Sequence, residues 1–185
     1  MIKRDLSISM AAANIYAILF VLPPTIMLGW WYVVLWGGTA FDAGMDWLFG
    51  NFLLFLAIFL IGIVVHELIH GITWALAGRI PLSQIKFGFQ LQTLTPYAHC
   101  TVPLRLWPYR IGAAMPGIIT GVLPALIGLS SGNGGLFMLG LFFIFAAGGD
   151  ICILWTLRNV QKDALVEDHP ERAGCFVLEP SAAAN

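Results

Sequence analysis

Along this chain long apolar stretches alternate with short polar ones, a pattern that fits helices crossing a bilayer better than the two-residue alternation of half-buried strands. A helix needs about 20 apolar residues to cross the hydrocarbon core. Four stretches reach that length, at about residues 14–36, 47–77, 111–129 and 136–157. Pro23 and Pro24 interrupt the first and predict a kink. Gly78 and Pro81 close the second as a helix stop. The basic start, Met1 to Arg4, resembles a signal peptide, but Ala11–Ala13 comes too early for cleavage and the apolar run continues to Trp36. It therefore reads as an uncleaved first span.

Residues 78–110 do not continue the helical pattern. Gln84 to Leu94 partly alternates apolar and polar residues, Tyr97 to Leu104 is rich in strand formers, and Thr95-Pro96 between them is a turn signal. These features predict a β-hairpin at the membrane face, with an irregular re-entrant loop as the alternative. The expected architecture is an all-α membrane protein of about four transmembrane helices, with a small hairpin between helices two and three. It forms a single domain over 1–185 with a polar tail over 158–185.

Composition agrees with the pattern. Hydrophobic residues make up 59% of the chain and charged residues 10%, with a mean hydropathy of +0.85. A soluble domain carries about 25% charged residues, so the lipid bilayer is the expected partner. The net charge of −1 and the lack of a basic cluster give no reason to expect nucleic acid. Cys100, Cys152 and Cys175 are scattered and read as small apolar residues or free thiols. Lys3, Arg4, Arg79, Lys86, Arg105, Arg110, Arg158, Lys162 and Arg172 all fall outside the segments joining spans one to two and three to four. By the positive-inside rule both termini are cytoplasmic, in what reads as a prokaryotic plasma membrane.

The second span holds the candidate chemistry, His66-Glu67-Leu68-Ile69-His70. Helical residues i and i+4 share a face, so both imidazoles can reach one metal ion, and Glu67 can act as general base on a water held there. Zinc is the expected ion because it takes neutral imidazoles and acidifies water. Between Trp47 and Gly78 these three are the only ionisable side chains, and such residues inside a membrane usually mark function. The plainer possibility is a polar lock between helices.

A catalytic zinc asks for three protein ligands. Asp150 is the one ionisable residue in spans three and four. Counted from Arg79 and Arg158, His70 and Asp150 both lie roughly 12 Å inside the boundary, at about 1.5 Å per residue. Asp150 is accordingly the third ligand, with Gly148 and Gly149 expected to let span four approach span two closely. Gly112, Ala113, Ala114, Gly117 and Gly121, with Pro116 as a kink, read as a helix-packing face. His99 and Cys100 read as loop residues at the cytoplasmic mouth, with metal binding, gating or oxyanion stabilisation as alternatives. His169, Glu171 and Glu179 read as structural or surface residues of the tail.

Taken together, His66-Glu67-Leu68-Ile69-His70-Gly71, Thr95-Pro96-Tyr97-Ala98-His99-Cys100 with Pro103-Leu104, Gly149-Asp150, and Asp168-His169-Pro170-Glu171-Arg172-Ala173-Gly174-Cys175 resemble a bacterial and archaeal family of zincin-like membrane peptidases. In motif the chain also resembles the site-2 protease class of intramembrane metalloproteases, although here glycine precedes the aspartate and Ile151 follows it. The resemblance implies that His66, His70 and Asp150 bind Zn2+, that Glu67 is the base, and that the substrate is a membrane-associated protein or peptide. A non-proteolytic metal-binding membrane protein, an ion carrier or a regulator, is the rival.

Overall fold

A computed structural model of the chain describes residues 2–90, 95–169, 172 and 174–179. Helix α1 runs over Met10–Trp36, with Ser9 capping it by accepting a hydrogen bond from the Ala12 N–H at 3.2 Å. It passes through Pro23 and Pro24 and ends on Gly37, whose φ of 83° suits glycine. A second helix, α2 over Gly38–Gly50, occupies what the sequence reads as a loop and the start of the second span. Asp42 and Asp46 leave it less apolar than its neighbours, and thirteen residues are too few to cross a bilayer.

Asn51 breaks the chain between α2 and α3, its side-chain amide donating to the Trp47 carbonyl. Helix α3, Phe52–Gly78, ends at Arg79 in the left-handed conformation. Gly78 is needed for space instead, since a Cβ there would meet Leu104 at 2.7 Å. The third span is continuous over Leu106–Ser131 as α4 (Leu106–Pro116), a π-helical segment (Gly117–Val122) and α5 (Leu123–Ser131). The expected proline kink thus takes the form of a widened turn after Pro116. Helices α6 (Gly134–Ala146) and α7 (Gly148–Thr156) make a fourth apolar unit, bent by 45°. The bend falls where Gly148 and Gly149 follow Ala147, poor helix formers that weaken the ladder.

Three helices are therefore long and apolar enough to span a membrane, or four if the bent pair is one span. Their outward faces are apolar, with Leu53 and Leu76 of α3 among the most exposed side chains. This is a membrane protein.

Small antiparallel sheets complete it. Strands β2 (Ile85–Gln90) and β3 (Thr95–Cys100) pair with Phe87 opposite Ala98 and Ile85 opposite Cys100. Thr95 and Pro96 lie within β3, so the proposed turn signal is part of the strand, while residues 91–94 are outside the described set. A four-stranded sheet follows the order β1 (Ile2–Asp5), β6 (Cys175–Glu179), β5 (Leu165–Asp168), β4 (Leu104–Arg105). It corrects the expectation of an all-α chain with one hairpin and a polar tail. Val166, Cys175 and Val177 alternate inward and are fully buried against Leu104 and Leu157, a strand pattern masked by the charges between them. Because β1, β4 and the tail strands share one sheet, the N-terminus, the segment before span three and the tail lie at the same end of the helices.

Candidate metal centre

The centre is built on α3, where the four-residue spacing sets both imidazoles on one face. Inside a helix that is otherwise apolar, His66 and His70 are buried. One donor atom each from His66, Glu67 and His70 lies within 4.8 Å of the others. Asp150, in the first turn of α7, divides its carboxylate between the two rings: Oδ2 is 3.1 Å from His66 Nε2 and Oδ1 is 3.2 Å from His70 Nε2. All four residues singled out in the sequence are thus brought together.

The glycines before Asp150 serve a different contact from the one expected. A Cβ on Gly148 would meet Ala17 and Val21 of α1, and a Cβ on Gly149 would meet nothing within 4 Å. The helix pressed onto α3 at this level is α4, where a Cβ on Gly112 would fall 2.0 Å from the Trp74 ring. Gly117 and Gly121 likewise fit against Ala147 and Ile144, so the small-residue face is a packing face.

The donor set fits zinc. The Gly112 carbonyl can only accept, so His70 Nδ1, 2.8 Å away, carries the hydrogen. With Nδ1 carrying its hydrogen, a neutral His70 would leave its Nε2 lone pair toward Asp150 Oδ1, as a cation shared by the two requires. Tetrahedral zinc with ligands at about 2.0–2.1 Å would hold them about 3.3 Å apart, close to the separations seen here. The Gly112 carbonyl is also the outer partner that fixes a metal-binding imidazole's tautomer. His66 has no such partner, its buried Nδ1 lacking a hydrogen bond among the described residues.

An aromatic column extends from His70. Trp74 stacks on it at 5.2 Å and 19°, and Tyr109 of α4 stacks on Trp74 at 5.6 Å and 24°. The Trp74 Nε1–H donates to the Tyr109 carbonyl at 3.1 Å. On the other side the hairpin covers the motif: a Cβ on Gly71 would meet Phe87 at 2.4 Å and Ile85 at 2.9 Å. Strand β3 packs on α3 on this same side.

His99 and Cys100 belong to β3, not to a loop, and meet a residue that the sequence reading left unassigned. Asp168 of β5 accepts from the Tyr109 hydroxyl at 2.6 Å and from the Cys100 N–H at 2.7 Å, with His99 Nδ1 at 3.6 Å. Burial pushes its carboxyl above the ordinary carboxylate range, against the pull of Tyr109 and Cys100. The signal that could have found it is the alternation Val166, Asp168, which turns an acid inward on a strand. His169 closes the turn, its Nδ1 accepting from the Arg172 N–H and its ring lying on Phe176. Glu179 reaches Arg4, while Glu171 is outside the described residues. The three cysteines are free and buried, and burial raises Cys100 and takes Cys175 up to about 12.

Residues 59–165, more than half of the chain, match the sequence model of a family described as "Putative zincin peptidase". No curated protein and no solved structure matches the chain.

Proposed function

The chain belongs to the zincin peptidase family whose pattern it carries, and we propose that it is an integral-membrane zinc metallopeptidase acting on membrane-embedded or membrane-adjacent protein segments. The observation that carries this reading is the convergence of Asp150 on His66 and His70 beside Glu67, inside a helix with no other ionisable side chain.

His66, His70 and Asp150 are the ligands in this reading. When bound, zinc supplies a Lewis acid that polarises the scissile carbonyl and acidifies water. Glu67 takes a proton from the attacking water and returns it to the leaving amine, so that both the new C–O bond and the broken C–N bond end with balanced protons. Gly112 holds His70 in the ligating tautomer, and α7 carries Asp150 to the rings across the bend. The substrate is an extended segment, and the edge of β3 beside Glu67 offers backbone groups to receive it.

In this reading both termini are cytoplasmic, as the distribution of basic residues favours, and the shared sheet supports a common side for the N-terminal strand and the tail strands. The test is Glu67→Gln, which keeps the size of the side chain and cannot take up the proton. It should bind zinc like wild type and cleave nothing; a variant that still cleaves assigns the base elsewhere. Wild type that binds zinc but cleaves no membrane substrate would favour the carrier or regulator instead.

A further inference from the structure

Asp168 lies just beyond the family match, on the tail, yet it touches both walls of the centre. Its Oδ1 accepts from the hydroxyl of Tyr109, and Tyr109 is packed through Trp74 onto His70. Its Oδ2 accepts from the Cys100 N–H. Residues two apart on a strand present their amides to the same edge, so Cys100 and Ala98 face the same way. That edge is tied to Asp168 at Cys100, and the strand that carries it packs on α3. The carboxylate is nearly enclosed, its side chain 11% exposed, and both of its donors are buried residues. Leaving such donors unmatched in an apolar surrounding is costly, so the contacts are held firmly.

Resting on the metallopeptidase reading, we propose that Asp168 is a positioning residue of the centre: it sets β3 against α3 and the Tyr109–Trp74 stack against His70. The C-terminal strands are then part of the working site, although they supply no ligand and no base. An amide at position 168 cannot accept from Tyr109 and Cys100 together with the same geometry, because one of its two heavy atoms only donates. Tyr109→Phe removes one donor and keeps the stack.

The experiment uses the full chain in detergent, with cobalt(II) in place of zinc as a spectroscopic probe. Wild type, Asp168→Asn and Tyr109→Phe are compared by cobalt affinity, visible absorption, thermal midpoint and amide hydrogen exchange. Asp168→Asn should bind cobalt up to about tenfold more weakly, no more than the low end of what changing a direct outer partner of a ligand costs. Its absorption bands should shift, and the Ala98 and Cys100 amides should exchange faster, while the cores of α1 and α3 stay protected. Tyr109→Phe should shift the bands with little change at Cys100, and it carries the test if Asp168→Asn fails to fold. Affinity, spectrum and exchange identical to wild type in the variants overturn the role of Asp168. Wild type that takes up no cobalt contradicts the metallopeptidase reading itself, a different result.

Discussion

His70 donates from Nδ1 to the Gly112 carbonyl at 2.8 Å, and the same glycine leaves the space that the Trp74 ring fills. One residue of α4 therefore sets the tautomer of a proposed ligand and admits its stacking partner. Gly112→Ala puts a methyl 2.0 Å from a ring held between His70 and Tyr109, so α4 must retreat and take the carbonyl with it. We expect zinc affinity to fall about 10–100-fold. Competition against a chromophoric chelator measures it, and an unchanged affinity would remove Gly112 from the account.

The hairpin can be separated from the metal. Gly71→Ala sets a methyl 2.4 Å from the Phe87 ring and 2.9 Å from Ile85, so these side chains must give way and loosen the hairpin over the motif, at a cost of about 1–3 kcal/mol. His70 is still held from Gly112. The variant should keep its zinc and lose cleavage, with faster hydrogen exchange confined to the hairpin. Loss of zinc and cleavage together would tie the hairpin to metal binding.

Packing deeper in the helices admits even less change. A Cβ on Gly140 would fall 2.3 Å from the Ala125 nitrogen, and one on Gly128 would fall 2.4 Å from the Phe137 nitrogen. Backbone cannot turn aside as a side chain can, so Gly140→Ala forces α5 and α6 apart. Destabilisation of about 1–3 kcal/mol or more is expected, read as a lower thermal midpoint in detergent.

Cys175 should be inert. Its thiol is held up at about 12 by burial, against 9.0 for an ordinary thiol. The sign is that of a suppressed thiolate, so at pH 8 the reactive form is about a thousandfold scarcer than for an exposed cysteine. Iodoacetamide should label Cys175 only after denaturation, and rapid labelling of the folded protein would show that the tail sheet opens.

The apolar helices and the grouping of His66, Glu67, His70 and Asp150 were legible because each rests on a strong local signal. Apolar length marks a span, and an ionisable residue inside one stands out, so His66, Glu67, His70 and Asp150 could be read directly and their shared depth counted. What was missed depends on long-range pairing. Strand β1 finds β6 across nearly the whole chain, and β4 has two residues, too short for any periodic pattern. Asp168 had no role in the sequence because its donors, Tyr109 and the Cys100 amide, come from other segments. The role of Gly148 was misplaced for a similar reason: sequence shows that a glycine permits close approach, but not which helix takes up the space.

The proposed zinc site consists of His66, His70 and Asp150. The most direct test is the metal content of the purified, detergent-solubilised protein, wild type beside His66→Ala and Asp150→Ala. Wild type should hold about one zinc per chain and either variant little after purification, since a catalytic zinc has only three protein ligands and loss of one sharply weakens its hold. A well-folded wild type without zinc, or an Asp150→Ala protein that keeps its full complement, would contradict this assignment.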